Sequence, residues 1–267
     1  MTDFHFNGKI VALAFGSSAL AQSLILELIS KGAQVYTLVP FQLNIPCKQY
    51  FNLKAFCDKL QTLAKIDVLV NVLPEFPLDE LFSKGFSDVK GSLDLIFAVV
   101  KAVWRNMRTH KYGRILNVLP ASTFYSSQGS SVGVISAMAW QGMVNALKRE
   151  GAKFWVFSNT LIYTIKDGSQ HKKEEGERED LAIPVALFMI HSTFQESGSI
   201  IETSENSIRK VRIQRGSGKL IKAPTPESVL SSISEISQVG RFPDYPSAFS
   251  ESLLKVLHMN VLERPRI

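Results

Sequence analysis

Only one Tyr-x-x-x-Lys spacing occurs in the chain, Tyr50 to Lys54. On a helix this spacing puts a phenol and an ammonium on one face. The cation would then lower the phenol pKa and fit it for proton transfer near neutral pH. The pair lies ahead of the apolar run Ile66–Val72, and short patterns of this kind recur freely, so chance is the expected reading. Tyr125 and Ser122 make a second hydroxyl pair, but no lysine stands at helical spacing from Tyr125, and a packing or surface role is expected for it. Phosphate chemistry would need glycines between a strand and its helix, so that backbone N–H groups can approach the anion. The run Ala14-Phe15-Gly16-Ser17-Ser18-Ala19-Leu20-Ala21 offers only Gly16. Cys47 and Cys57 are too few for a disulfide framework or a zinc site, so no metal is expected and a reducing compartment is the default.

Short apolar runs alternating with longer helical patterns must position these groups, and that alternation is the mark of a parallel sheet flanked by helices. Strands are predicted at Lys9–Phe15, Ala33–Val39, Ile66–Val72, Arg114–Leu119, Phe154–Asn159 and Gly198–Thr203, with a polar edge strand or hairpin arm in Ser207–Arg215. Helices are predicted at Ser18–Lys31, closed by Gly32, and at Lys54–Lys65, Ser87–His110, Ser131–Gly151 and Leu181–Ser192. Phe41–Phe51 reads as irregular. Asp167–Asp180, charged and nearly free of apolar residues, reads as a mobile surface loop. Two further helices, Pro226–Ser237 (Thr225 as N-cap) and Ala248–Leu262, make a C-terminal extension. The fold class expected is α/β, a Rossmann-like doubly wound parallel sheet of about six to seven strands. Its domains would be 1–222 and a packed extension, 223–267.

The chain has 267 residues, a hydrophobic content of 45% and a formal net charge of +6, enough apolar material for one full core and a mildly basic surface. Its best basic segments, Lys172-Lys173 and Arg209–Arg215, read as solvated faces before they read as a nucleic-acid site. No apolar run approaches the ~18 residues that span a bilayer, and the first residues lack a signal-peptide pattern. A soluble intracellular protein is expected, in the peroxisome or the cytoplasm. The C-terminal Pro265-Arg266-Ile267 shares only its basic middle residue with a peroxisomal import signal.

The order of elements resembles the short-chain dehydrogenase/reductase family, and within it the (3R)-hydroxyacyl-CoA dehydrogenase unit of peroxisomal multifunctional enzyme type 2. The segments that carry the resemblance are Ile66-Asp67-Val68-Leu69-Val70-Asn71, Lys111-Tyr112-Gly113-Arg114-Ile115-Leu116 and Ala223-Pro224-Thr225-Pro226-Glu227-Ser228-Val229. The stretch between the second strand and Ile66 is shorter than the family's by roughly a helix and its loops, measured against a βαβ unit of about 30 residues.

The resemblance implies a Thr-Gly-x-x-x-Gly-x-Gly turn for a nicotinamide dinucleotide, and Phe15, Ala19 and Ala21 stand where its glycines fall. A one-residue slip that put Gly16 in the turn would disturb the strand phase. Val39, between Leu38 and Pro40, occupies the place of the acidic ribose ligand, and Asn71 survives from Asn-Asn-Ala-Gly as a structural residue. The implied catalytic Asn, Ser, Tyr and Lys fall on Ser92, Pro120, Gly133 and Ala137. The expectation from these substitutions is a chain without a cofactor and without catalytic activity, a pseudoenzyme acting as a dimerising regulatory or scaffold subunit. The alternatives are an NAD(P)-dependent 3-hydroxyacyl-CoA dehydrogenase-like enzyme with relocated residues, or a basic nucleic-acid-associated scaffold.

The resemblance also implies pairing through the two long helices, as a homodimer or as a heterodimer with an active family member, with fungal enzymes that carry two dehydrogenase units as precedent. Val99, Val103, Met107, Ala137, Met138, Gln141, Gly142 and Asn145 are the interface residues expected, and no membrane insertion is expected.

Overall fold

A computed structural model describes residues 4–73, 86–125, 131–164, 181–204, 207–213, 218–221 and 225–237. The chain divides into two compact units, Met1–Lys210 and Val211–Ile267, earlier than the 222/223 boundary expected.

The first unit is built on strands β1 (Ile10–Ala14), β2 (Gln34–Leu38), β3 (Lys48–Tyr50), β4 (Val68–Val72), β5 (Gly113–Pro120), β6 (Val156–Tyr163), β7 (Ile200–Ser204) and β8 (Ser207–Val211). They form one sheet in the order β3-β2-β1-β4-β5-β6-β7-β8, and β3 through β7 are parallel. The helices are α1 (Ala19–Ser30), α2 (Leu53–Thr62), α3 (Phe86–Thr109), α4 (Ala121–Phe124), α5 (Ser131–Gly151) and α6 (Ala182–Ile190).

The central strands are mostly apolar because both faces of the sheet are covered. Val11 and Leu13 of β1, Val68, Val70 and Val72 of β4, and Leu116 and Val118 of β5 pack with α1 and α6. Their neighbours Ala12, Ala14, Leu69, Ile115 and Leu119 turn to the other face, toward α2, α3 and α5. Parallel pairing of β1 with β4 and of β4 with β5 puts their C-terminal ends side by side, where open α/β sheets bind ligands.

Two segments depart from the sequence expectation. Phe41–Phe51 contains β3, which pairs parallel to β2 (Leu38 opposite Tyr50) after a loop that carries no helix. Gln49 ties that loop together, its Oε1 accepting from Leu43 N at 2.8 Å and its Nε2 donating to Leu43 O at 2.9 Å. The sixth strand begins at Val156 and continues to Tyr163, beyond the expected Phe154–Asn159, because Ala152–Phe154 forms a 3-10 turn and Trp155 takes a left-handed conformation, φ 57°. The expected loop Asp167–Asp180, Lys172-Lys173 and the helix Ala248–Leu262 lie outside the described residues.

In the second unit, α7 (Pro226–Ile236) starts at a capping box in which Thr225 Oγ1 accepts from Ser228 N at 3.2 Å and Ser228 Oγ accepts from Thr225 N at 2.9 Å.

Candidate functional site

The turn after β1 keeps an unusual backbone without the glycine that normally allows it. Phe15 has φ 63°, in the left-handed region that L-residues avoid. Its ring reaches Trp140 of α5, with centroids 6.0 Å apart. Gly16 follows, its N–H donating to Leu38 O at 3.1 Å. A methyl group at Gly16 would stand 2.2 Å from Thr37 Oγ1, so the close approach of this turn to β2 requires a glycine. Ser18 then caps α1, its Oγ accepting from Ala21 N at 3.2 Å. One of the donors that a phosphate would use at this helix N-terminus is therefore already occupied.

At the end of β4, Asn71 is fully buried and its Nδ2 donates to Asn117 Oδ1 of β5 at 2.9 Å, a cross-strand tie. Ser92 on α3 is buried, and among the described residues its hydroxyl has no hydrogen-bond partner. Pro120 ends β5, and Gly133 and Ala137 are buried on α5. None of these four side chains supplies an acid or a base. Val39 is buried beside β2 and offers no carboxylate to a ribose.

A nicotinamide dinucleotide seated in the usual way of this fold needs glycines under its diphosphate and free N–H groups ahead of α1. The Phe15 ring, Ala19, Ala21 and the Ser18 cap do not fit that seat.

Tyr50 and Lys54 do not share a helical face. Tyr50 lies in β3, while Lys54 is in α2 and pairs with Asp58 at 2.8 Å. Tyr125, at the end of α4, donates its hydroxyl to Glu202 of β7 at 3.0 Å. Burial and then that carboxylate push its pKa up to about 12, so it stays protonated near neutral pH and makes a poor proton shuttle. Sequence reasoning gave no sign of Glu202, which lies far along the chain and meets Tyr125 only through the fold.

The expected pairing residues separate into two groups. Val99, Val103, Met107 and Ala137 are fully buried against the sheet, and Gln141 is buried with its Oε1 accepting from Thr160 Oγ1 at 2.7 Å. None of these five reaches the surface, because the strongest apolar stripe of a helix faces its own core. Met138 and Gly142 are exposed and Asn145 half-buried. On the same two helices Phe97 is 64% exposed and Ile135 43%, with Met138 also at 43%.

No family model matches the chain. In sequence it is similar to peroxisomal multifunctional enzyme A of Dictyostelium discoideum, 27% identical over 180 residues that span 62% of this chain and 41% of that protein. Peroxisomal multifunctional enzyme type 2 of Mus musculus is 26% identical over 217 residues, 74% of this chain and 29% of that protein. The peroxisomal hydratase-dehydrogenase-epimerase of Saccharomyces cerevisiae is 24% identical over 193 residues, 67% of this chain and 21% of that protein. The chain thus spans less than half the length of these relatives. In structure it resembles full-length peroxisomal multifunctional enzyme type 2 from Drosophila melanogaster, with a TM-score of 0.73 at 20% identity, covering 95% of this chain and 50% of that one. A short chain dehydrogenase from Mycobacterium avium gives a TM-score of 0.71 at 12% identity, covering 90% and 97%.

These names overturn the expectation that the chain is no enzyme. The proteins it resembles in sequence are named as multifunctional enzymes and hydratase-dehydrogenase-epimerases. Substitutions at family positions record where a proton donor is not; they do not measure turnover. No helix among the described residues is long and apolar enough to cross a membrane. With its parallel sheet and these relatives, the chain is short-chain dehydrogenase/reductase-like and similar in sequence to the peroxisomal multifunctional enzymes.

Proposed function

We propose that this chain is a dehydrogenase-like oxidoreductase subunit that works as a dimer, α3 and α5 packing against the same helices of a second short-chain dehydrogenase fold, in a second copy or in a relative. The observation that carries the reading is the exposed apolar set Phe97, Ile135 and Met138, with Gly142 between them and the end of α5. Large apolar side chains in a patch favour an interface, and a glycine lets helices approach closely. Ser92, Pro120, Gly133 and Ala137 supply no acid–base pair. Proton transfer in the dimer therefore draws on groups outside those four positions, in this chain or in the partner fold. The relatives' names favour the peroxisome as its compartment, and a 3-hydroxyacyl thioester is the substrate class the resemblance suggests.

Sedimentation velocity tests the pairing. The chain should sediment as a dimer, or form one when mixed with a family member, and Phe97→Glu with Met138→Glu should leave a folded monomer. A wild-type chain that stays monomeric at micromolar concentration in both settings sinks the pairing. Turnover of a 3-hydroxyacyl thioester, followed by mass spectrometry with both nicotinamide dinucleotides supplied, should appear with the dimer and vanish with the monomerising pair. No turnover in any pairing sinks the oxidoreductase half.

A further inference from the structure

The end of the sheet opposite the candidate site is built from cations and aromatic rings. Tyr112, in the turn between α3 and β5, has three cations over its ring: Lys9 Nζ at 4.7 Å, Arg114 Cζ at 4.7 Å and Lys65 Nζ at 5.4 Å from the centroid. One carboxylate answers them. Asp67, only 1% exposed, accepts from Lys65 at 2.8 Å, Lys9 at 3.1 Å and the Ile10 backbone N–H at 3.1 Å. Burial alone would raise its pKa, but those hydrogen bonds hold it below the usual carboxylate value, so it stays charged and already engaged. Three cations against one carboxylate leave a positive surplus, while Lys9 and Lys65 keep 32% and 42% of their side chains open to solvent.

The surplus continues along the same edge. Arg114 Nη1 donates to Trp155 O at 3.4 Å, which joins the Tyr112 cluster to the segment before β6. There Arg108 and Lys153 lie over the Phe154 ring, 4.3 Å and 5.2 Å from its centroid. Arg108, Lys111 and Lys153 are exposed, and no ion pair joins them to a carboxylate among the described residues. Arg108 can be explained by the negative end of α3, whose last turn it occupies. Lys111 and Lys153 lie just beyond the ends of α3 and α5, whose negative C-termini also attract them, while Lys9 and Lys65, outside the helices, are held by Asp67. In their midst Trp155 stands 59% exposed, fixed by its left-handed backbone.

We propose that this edge docks the protein on an anionic phospholipid surface, with Lys9, Lys65, Arg108, Lys111 and Lys153 meeting headgroup phosphates and carboxylates and Trp155 resting at the headgroup level. Cations spaced along an exposed edge attract an anionic leaflet, and a largely exposed indole suits the interface between water and lipid. Single-stranded nucleic acid is the weaker fit. It needs several open rings for base stacking, and here the faces of Tyr112 and Phe154 are already covered by cations.

Co-sedimentation of the full chain with vesicles tests the proposal. The chain should pellet with phosphatidylcholine vesicles that contain phosphatidylserine and stay in solution with pure phosphatidylcholine. Raising the salt from about 0.05 M to about 0.5 M, which shortens the screening length severalfold, should release it. Lys111→Gln and Lys153→Gln should each weaken partition by about fivefold, the effect of one basic residue near an anionic surface. Trp155→Asn, which suits the left-handed backbone, should weaken it further without changing the melting transition. Equal partition into both vesicle types, no partition into either, or binding of a single-stranded oligonucleotide without vesicle binding overturns the proposal.

Discussion

Phe15 carries two opposed contributions, and they can be separated by substitution. Its left-handed backbone is unfavourable by about 1–2 kcal/mol for any residue with a Cβ. Its ring, packed on Trp140, stabilises the turn. Phe15→Ala loses the ring and keeps the strain, whereas Phe15→Gly loses the ring and removes the strain. We expect Phe15→Gly to be the more stable variant in urea melts, by about 1 kcal/mol, against the general rule that glycine is the poorer choice within ordered structure. Equal midpoints would show that the backbone here is not left-handed. Gly16 offers a complementary test. Gly16→Ala places a methyl 2.2 Å from Thr37 Oγ1, an atom that is buried and makes no hydrogen bond. The substitution should destabilise by about 1–3 kcal/mol, as overpacking does. Thr37→Ala should recover part of that loss, so the double variant lies above the sum of the singles. The residue types of this turn were legible in the sequence; the left-handed Phe15 and the hydroxyl under Gly16 were not, because both depend on how closely β1 and β2 approach.

Between neighbouring elements, legibility followed the strength of the apolar period. The buried strands β1, β4 and β5 stood out because each is a short, mostly apolar run, and α3 because its stripe through Val99, Val103 and Met107 repeats over most of its length. Val99, Val103 and Met107 of that stripe, expected at a pairing surface, are buried, whereas Met138, expected there too, is exposed. Periodicity finds one strong face, and the sheet takes it, leaving the outer surface to Phe97, Ile135 and Met138. The short β3 was hidden because Lys48-Gln49-Tyr50 has no apolar period and forms only beside β2. The junction of the N-terminal segment with the end of α6 supports a prediction about pH. His191 caps α6 and its ring packs against Phe4 and Phe6, with centroids 4.8 Å and 5.6 Å away. Burial, then Arg114, then Lys9, lowers its pKa, while its Nδ1 accepts from Thr193 N at 3.3 Å. The folded state therefore prefers the neutral ring, and the unfolded chain binds the proton more readily. Stability that is full above the unfolded value of about 6.5 should fall as the pH drops through it. Thermal melts between about pH 7.5 and 5.5 should show this decline, and His191→Phe should flatten it. An unchanged slope in His191→Phe would assign the decline to other groups.

At the scale of the whole molecule, the two core clusters have a shared address. The cluster under α1 and α6 runs from Phe6 to Phe194 with Ile201 against it, and the cluster under α2, α3 and α5 runs from Ala12 to Val156, so both lie inside the first compact unit, Met1–Lys210. The described part of the second unit contributes no residue to either cluster, and its helix α7 leaves Leu230 at 74% and Ile233 at 52% exposure. Hydrophobic burial dominates the favourable side of folding. A chain cut after Val211, which keeps β8 and both clusters, should therefore fold alone. We expect one cooperative thermal transition within about 5 °C of the full chain, since about 1 kcal/mol moves the midpoint of a domain of this size by roughly 2–4 °C. The far-UV circular dichroism should lose only the helical signal that residues beyond Val211 contribute. A truncated chain that melts without cooperativity, or that is recovered only in aggregates, would mean that residues beyond Val211 complete a core that the two clusters do not close by themselves. The full chain would then fold as one cooperative unit despite its division into two.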